Sequence, residues 1–293
     1  MIGGGLGKMA DEGYRWLTNL GDDWWQSVGA CQVLSDVFSR HLLTLFVSYE
    51  VDGQRNRQIY TGFLLHHSDT LFWVTAGHVI DCINKILADS SYKVLAMRWC
   101  DGCEIRGAES VVVHNRDLWT FSTWKYGVDF AVAIITGLDA ANILNNDRVR
   151  VLTEEVWRKV HLAQPEGYYL VGYPQEWVEI STDLLSDGRV LGSLRANLAC
   201  LPLRRIEYPG PDPTDEFWND PEAFYGEILA FTDGPGYQPG DISGMSGGPV
   251  ISLERDPDSR IRYRLFGVQR SWKSEECLIR AEPIHRIIDI IGG

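Results

Sequence analysis

The sequence from His41 onward is a succession of short apolar runs separated by turn residues, and this pattern restricts the possible folds more than any other feature. The runs are rich in the β-branched and aromatic residues that favour strands. One predicted strand begins at Leu71 and runs into the stretch Thr75 to His78. The others are at 42–51, 59–65, 92–98, 109–113, 126–135, 168–174, 190–201, 262–268 and 277–281. Helical periodicity is restricted to the two ends of the chain, so the sequence predicts an all-β core.

The two terminal stretches have apolar residues at steps of three and four, which is the spacing of one helix face. In the N-terminal stretch these residues are Trp24, Val28, Cys31, Leu34 and Phe38. In the C-terminal stretch they are Ile284, Ile287, Ile288 and Ile291. We therefore predict an N-terminal helical extension at 1–40 and a core domain at 41–293 that ends in a short helix.

Composition excludes several classes of function. The 293 residues are 45% hydrophobic, which is enough for a full core. A formal net charge of −13 argues against a nucleic-acid binder, because such a surface needs clustered Lys and Arg. No run reaches the length of a membrane span, and charged residues interrupt the N-terminal stretch where a signal peptide needs apolar residues. We expect a cytoplasmic protein without nucleic-acid or membrane partners.

The six cysteines are spread along a chain that is large enough to fold without disulfides, so we expect them to be reduced and mostly buried. Cys100 and Cys103 have the spacing of half a metal site, but no second pair of Cys or His at ligand spacing completes it. We interpret these two residues as part of a turn, and we expect neither a metal ion nor an organic cofactor.

A glycine-rich turn at 241–250 holds the strongest candidate for a functional side chain, Ser246. Glycines surround this serine in Gly244-Met-Ser-Gly-Gly-Pro249, and an apolar strand follows. Small residues allow a tight turn whose backbone N–H groups can point at a substrate oxygen. This is how an acyl-transfer nucleophile is presented, although the same residues also form ordinary turns. Ser243 is a second candidate, but it lacks the Gly-Gly-Pro continuation.

A serine hydroxyl is a weak nucleophile near neutral pH unless an imidazole takes its proton and a carboxylate orients that imidazole. His78 follows the small residues of Thr75-Ala-Gly-His, which place it at the end of a strand. Asp129 enters an apolar run, where a carboxylate needs a partner. Asp101 and Asp117 lie in polar turns and are weaker candidates for the same role. The remaining candidates lack a motif and are expected at the surface or at strand ends: His66, His67, His114, His161 and His285.

Three motifs in this order, Thr75-Ala-Gly-His78, Asp129-Phe-Ala-Val132 and Gly244-Met-Ser-Gly-Gly-Pro249, together resemble those of the trypsin-like (chymotrypsin-fold) serine peptidases, in particular disulfide-poor bacterial members. The resemblance implies a double six-stranded β-barrel, with barrels at roughly 41–150 and 160–285 and a catalytic cleft between them. It also implies an oxyanion hole formed by the backbone N–H groups of Gly244 and Ser246.

Two departures from this family concern its covalent and regulatory features. Val79 follows the histidine where secreted members have a cysteine, so that disulfide is absent. Met245 precedes the serine where zymogen-activated members have an aspartate that pairs with a new N-terminus. Although Ile2-Gly-Gly looks like such an N-terminus, no aspartate would receive it. We therefore predict that any activation does not use this ion pair.

The resemblance places the primary specificity pocket at residues just before the serine and on the strand after it, here Asp241, Arg270 and Ser271. Asp241 would favour a basic residue before the scissile bond if it points into the pocket. Arg270 would favour an acidic residue or would neutralise Asp241. The acidic segment 207–227 contains no Lys or Arg, and it is interpreted as a solvated insertion or as a rim that steers substrates.

The leading hypothesis is a serine endopeptidase that cleaves a protein substrate through an acyl-enzyme on Ser246, with His78 as base and Asp129 as its orienting carboxylate. The resemblance extends it to a stress or anti-phage system with an activating or inhibiting protein partner. The alternative is a latent or inactive binding module that keeps the peptidase fold. A lipase or esterase of the α/β-hydrolase type would have the order Ser, Asp, His, which is the reverse of this chain.

Overall fold

The computed structural model describes residues 24–101, 111–113, 120–122, 128–146, 148–157, 165–184, 190–212, 214–230, 241–255 and 261–292. The predicted turn at Cys103, the candidate Asp117, and His114 and His161 lie outside the described residues. The α-helices are α1 (Val28–Phe38), α2 (Gly77–Ala88), α3 (Gly137–Leu144), α4 (Glu154–Trp157) and α5 (Ile284–Gly292). The strands that precede residue 150 are β1 (Leu43–Val51), β2 (Gln54–Tyr60), β3 (Phe63–His67), β4 (Thr70–Thr75), β5 (Lys93–Asp101), β6 (Val111–Val112), β7 (Thr120–Ser122) and β8 (Ala131–Ile134). The later strands are β9 (Gly167–Gly172), β10 (Val178–Leu184), β11 (Val190–Ala196), β12 (Ala199–Ile206), β13 (Phe224–Ile228), β14 (Pro249–Arg255), β15 (Ile261–Lys273) and β16 (Leu278–Pro283).

The first half of the molecule, β1 to β8, forms two antiparallel four-stranded sheets with the orders β2-β1-β5-β6 and β3-β4-β8-β7. The chain passes from one sheet to the other at Thr61 and Gly62, where Leu43 N donates to Gly62 O at 2.9 Å. The two sheets enclose a shared apolar core that includes Leu45, Trp73 and Trp99. Because residues of both sheets belong to this one cluster, the first half consists of two sheets that share a core.

The second half closes into a six-stranded antiparallel barrel with the order β12-β13-β16-β15-β14-β9. Strand β9 pairs with both β12 and β14, which completes the ring. All six residues of β9 are buried, as are all six of β16. A separate two-stranded ribbon is formed by β10 and β11. Closure leaves no unpaired edge in the barrel, so its loops are attached to a fixed frame.

Helix α1 packs where the two halves meet. Ser27 caps it, because its Oγ accepts from Ala30 N at 3.0 Å. Its buried face belongs to an apolar cluster that also contains residues of both halves. The members from α1 and its flank are Trp24, Ala30, Cys31, Leu34 and Phe38. The predicted helix at 24–38 is thus present, and it contributes to the core that joins the halves.

His41 also joins the two halves. Its Nδ1 lies 3.1 Å from Arg150 O and its Nε2 lies 2.8 Å from Tyr263 Oη. A carbonyl can only accept, so Nδ1 carries the proton and Nε2 accepts from the phenol. Burial lowers the pKa of His41 to about 4. This imidazole is therefore a neutral structural group at neutral pH.

The structure differs from two expectations about the fold. Within the described residues, the strands of the first half form two separate four-stranded sheets rather than a closed six-stranded barrel. The outer strand β2 carries the polar run Gln54 to Gln58, and polar edges oppose further pairing. Helices are also not restricted to the chain ends, since α2, α3 and α4 lie within the core domain. The described fold is mostly β, with one closed barrel.

Among the described residues, none of the helices combines the length and the apolar character that crossing a bilayer requires.

Candidate active site

His78 lies in the first turn of α2, directly after the buried strand β4. Asp129 lies two residues before the start of β8, which is the neighbour of β4 in the same sheet. Its Oδ1 accepts from His78 N at 3.0 Å, and its Oδ2 lies 2.8 Å from His78 Nδ1. One carboxylate thus satisfies a free N–H at the start of a helix and orients the imidazole of the same residue.

The pairing of His78 with Asp129 determines which imidazole nitrogen is available for chemistry. Asp129 is 5% exposed, whereas the side chain of His78 is 37% exposed. The carboxylate accepts a hydrogen bond from Nδ1–H, so in the neutral ring the proton stays on Nδ1 and Nε2 holds the lone pair. The sequence predicted that Asp129, in its apolar surroundings, needs a partner, and this partner is His78. In such a pair the imidazole can accept a proton, and the carboxylate stabilises the resulting imidazolium.

A cavity of about 160 Å³ brings His78 together with the serine turn. Its walls come from both halves of the molecule. They consist of Gln58, Ile59, Tyr60, His78, Val79, Cys82, Gln175, Gly244 and Ser246. The histidine and the serine, which are 168 positions apart in the chain (246 − 78), thus face the same space. A group bound in this cavity could contact both.

Two glycines of the serine turn adopt positive φ angles, +93° at Gly244 and +90° at Gly247. A Cβ at Gly244 would lie 3.0 Å from Gln175 N and from Tyr173 O. A Cβ at Gly247 would collide with the Thr75 side chain. Glycine is therefore required at both positions by the backbone conformation and by close neighbours, which belong to the second half at Gly244 and to the first half at Gly247.

Hydrogen bonds to carbonyls orient the two candidate oxyanion donors. Ser243 O accepts from Gln175 N at 2.6 Å, and Met245 O accepts from Gly248 N at 2.8 Å. In a trans peptide the C=O and N–H point in opposite directions. The N–H groups of Gly244 and Ser246, which belong to these same two peptides, therefore point away from these acceptor contacts. Neither N–H donates to another described residue.

Met245 is fully buried under the turn. A Cβ built on Gly172 would lie 3.3 Å from its Cβ and Cε, so the side chain packs closely on β9. It belongs to an apolar cluster that includes Ile242, Leu170 and Val250. The position that holds an ion-pairing aspartate in zymogen-activated peptidases is thus filled here by core packing.

The three candidate specificity residues have different surroundings. Asp241 is exposed, and its Oδ1 accepts from Ser243 N at 2.8 Å and from Ser243 Oγ at 2.6 Å. Arg270 is buried and forms an ion pair with Glu282, which is fully buried. Ser271 Oγ is buried without a hydrogen-bond partner among the described residues. A preference for basic residues would require Asp241 to point into a pocket. The contacts of Asp241 do not support that orientation.

Glu282 is a buried residue that the sequence reasoning missed. Burial raises its pKa, and the Arg270 and Arg286 guanidinium groups oppose that effect. Arg286 also pairs with Asp220 at 2.7 Å. The missed signal was the pair of charged residues, Arg280 and Glu282, in the otherwise apolar run 277–283, and a charged residue in an apolar run is also what identified Asp129. Charges in such places need partners.

The acidic segment 207–227 is held to the barrel by cations from elsewhere in the chain. Lys273 Nζ lies 2.7 Å from Asp215 Oδ2, and Arg280 Nη1 donates to Glu216 O at 2.8 Å. Arg204 pairs with Glu227. The Lys273 and Arg204 ion pairs compensate part of the negative charge of this segment, and its role as a solvated insertion or as a steering rim stays a prediction.

The weaker candidates lie in other environments. Ser243 Oγ donates to Asp241, as described above, and Asp101 Oδ2 accepts from Asn146 Nδ2 at 3.1 Å. His66 and His285 are exposed, and His67 contacts Trp157. The structure therefore brings His78 and Asp129 into contact and places Ser246 on the same cavity, while these other residues have different partners or face solvent.

No protein-family model matches the chain, and no curated protein is similar to it in sequence. Among solved structures, the protease Anisep from Arthrobacter nicotinovorans matches with 15% identity and a TM-score of 0.42, covering 86% of this chain and 94% of that one. A protease from M. tuberculosis in its active form matches with 12% identity and a TM-score of 0.42, covering 87% and 81%. A thermostable serine protease from an extremophilic microorganism matches with 10% identity and a TM-score of 0.42, covering 84% and 91%. These likenesses are distant, so the functional proposal depends on the residues of this chain.

Proposed function

We propose that this chain is a serine endopeptidase with Ser246 as nucleophile, His78 as general base and acid, and Asp129 as the carboxylate that orients His78. The observation that carries this proposal is a single cavity that exposes His78 and Ser246, with Asp129 bound to the far side of the imidazole. Serine, imidazole and buried carboxylate in this relation are the groups that acyl transfer needs.

In the proposed reaction, Ser246 Oγ attacks the carbonyl carbon of a peptide bond as His78 Nε2 takes the hydroxyl proton. The carbonyl oxygen becomes an oxyanion, which the N–H groups of Gly244 and Ser246 stabilise. The intermediate collapses when His78 returns the proton to the leaving amine, which leaves an acyl group on Ser246. Water then attacks the ester with His78 again as base, releasing the acid product and free serine.

The proposal has parts with different support. A protein substrate is proposed because the three motifs resemble those of peptidases. A charge-based preference for basic residues has less support, because Asp241 is bound to Ser243 and Arg270 is paired with Glu282. The bacterial stress or anti-phage role and a regulating partner follow from the family resemblance of the motifs alone, and the cytoplasmic location follows from the charged N-terminal stretch and the cysteine usage. The neighbouring genes would test that role.

Labelling by a fluorophosphonate, which reacts with activated serines, tests the assignment. We expect one adduct on Ser246 in the purified protein, located by peptide mass spectrometry. Ser246→Ala should abolish labelling, whereas the matched control Ser243→Ala should retain it. An adduct that persists in the Ser246→Ala variant would contradict the assignment.

One observation favours a second candidate, a latent peptidase or binding module. The cavity at His78 and Ser246 measures about 160 Å³, whereas sites for small ligands usually measure about 300–1,000 Å³. In this candidate, a partner widens the cleft before a polypeptide enters. This candidate predicts a folded protein that the fluorophosphonate does not label until the partner is added.

A further inference from the structure

The residue between the two sheets of the first half, Thr61, contacts both components of the candidate active site. It is fully buried at the passage from β2 to β3. Its Oγ1 donates to Gly244 O at 2.7 Å, so a side chain of the first half holds a carbonyl of the serine turn. The same Oγ1 lies 3.5 Å from Tyr173 N, which belongs to the second half.

On its other side Thr61 is bound to the segment that carries the histidine. Thr61 O accepts from Thr75 Oγ1 at 2.8 Å. Thr75 is the last residue of β4, and α2 with His78 begins two residues later. The Thr75 side chain also abuts Gly247, where any Cβ would collide with it. The pair Thr61 and Thr75 therefore lies between the histidine segment and the serine turn.

The bond to Gly244 O completes a series of three fixed carbonyls. Ser243 O and Met245 O are held by backbone N–H groups of the second half, Gln175 N and Gly248 N. The carbonyl between them is held by the Thr61 hydroxyl. Because the peptide that contains Gly244 O joins the two peptides that carry the oxyanion donors, its rotation would redirect both N–H groups.

We propose that Thr61 is a positioning residue that fixes the oxyanion donors of the serine turn relative to His78. This inference rests on the proposed peptidase function. Thr61 does not touch the reacting atoms. Its effect is exerted through Gly244 on one side and through Thr75 on the other, so it should change the turnover step more than the affinity for substrate.

The test compares three variants of the full chain. Thr61→Val keeps the shape and removes the hydroxyl, and Thr61→Ser keeps the hydroxyl. Thr44→Val is the matched control, because Thr44 is also buried in the first half and its Oγ1 donates to a carbonyl, Cys100 O, at 3.2 Å. Both valine variants lose the buried hydrogen bond that the threonine hydroxyl donates to a carbonyl, so a general loss of stability affects both.

With a fluorogenic peptide substrate, Thr61→Val should lower kcat by about 10- to 100-fold at a nearly unchanged KM, the size expected for misplaced catalytic groups. Thr61→Ser should restore most of this loss, and Thr44→Val should leave kcat unchanged. Equal kcat in Thr61→Val and Thr44→Val, or an equal loss in Thr61→Ser and Thr61→Val, would overturn the proposal.

Crystal structures of the two valine variants give a result that does not depend on activity. The Gly244 carbonyl should rotate away from its present direction in Thr61→Val and should keep it in Thr44→Val. An unchanged Gly244 peptide in Thr61→Val would overturn the positioning role. If the wild type neither cleaves peptides nor reacts with the fluorophosphonate, the peptidase proposal fails, and these structures alone decide whether Thr61 positions the turn.

Discussion

The candidate histidine and carboxylate lie in a half made of two open sheets, whereas the candidate nucleophile lies on a turn attached to a closed barrel. The two parts are also held differently. The serine turn is fixed largely by backbone hydrogen bonds within its own half and by the buried Met245. His78 is oriented by one carboxylate, Asp129, which binds both its backbone and its ring.

This difference has a consequence for substitutions. Side-chain changes near His78 should affect the chemistry directly, because a side chain, that of Asp129, orients the imidazole. Changes inside the barrel should first affect stability, because its backbone frame determines the turn. Groups at the junction, such as His41, should affect how firmly the halves are joined. The predictions that follow test this division, from the largest expected effect to the smallest.

Replacing His78 by Ala should have the largest effect. Loss of the base removes proton transfer to and from Ser246, and kcat should fall by about 10⁶-fold, as for loss of one essential member of such a triad. The fold should persist, since the side chain is partly exposed. Peptide hydrolysis and circular dichroism measure the two effects. His66→Ala, at an exposed histidine on β3, is the control, and equal activity loss in both variants would refute the assignment.

Asp129→Asn should lower kcat by about 10⁴-fold, because an amide no longer stabilises the imidazolium or enforces the tautomer with Nδ1 protonated. The new amide keeps an oxygen that can accept from His78 N, so the stability of α2 should change little. Peptide hydrolysis measures the loss, and the matched control is Asp101→Asn, at a buried carboxylate that accepts from Asn146. Undiminished kcat in Asp129→Asn would show that the histidine side does not depend on this carboxylate.

Glu282→Leu should destabilise the barrel by about 3–5 kcal/mol, because Arg270 would lose its fully buried counter-charge. The free energy of unfolding in urea measures this loss. Adding Arg270→Met to Glu282→Leu should recover part of it, since both charges of the pair are then removed. If Glu282→Leu alone were as stable as the wild type, the ion pair between Arg270 and Glu282 would not stabilise the barrel.

His41, which lies at the junction of the halves, should make the free energy of unfolding depend on pH. Its pKa is lowered from 6.5 to about 4 by burial. Between these values the imidazole binds a proton in the unfolded chain but not in the folded one. The stabilisation that neutral His41 contributes is therefore fully present above pH 6.5 and is lost as the pH falls towards 4. The expected loss from this group is about 3 kcal/mol. His41→Gln, which does not titrate, should unfold with a smaller pH dependence; an identical dependence would exclude His41 as its source.

Local sequence was sufficient for structural features that depend on residue type and short spacing. The contact between His78 and Asp129 was predicted because a carboxylate in an apolar run needs a partner and small residues leave the imidazole at a strand end. The strands around 43–51 and 167–172 were predicted from their apolar residues, and the helices at the chain ends from their periodicity. The roles of Ser246, Gly244 and the pocket residues stay predictions.

Other features depend on contacts that no local pattern specifies. The helix that contains His78 was missed because the apolar run 71–80 resembles one continuous strand, whereas the change to α2 at Gly77 depends on how that helix packs on the sheet. The separation of the first half into two sheets was missed because closure depends on whether distant edge strands meet. Neutralising Asp241 was one of two roles considered for Arg270, whereas strand pairing in the barrel brings Glu282 to this guanidinium.

The sequence by itself thus determined which side chains are candidates for base, carboxylate and nucleophile, because these roles require particular functional groups in recognisable local surroundings. Only the tertiary structure decided how they are held. Thr61 and Gly244 are joined by a hydrogen bond across 183 positions of the chain, and Asp129 and His78 by bonds across 51. Such contacts form only when complete strands and helices pack against each other, since the free energy that holds them is shared by the whole core.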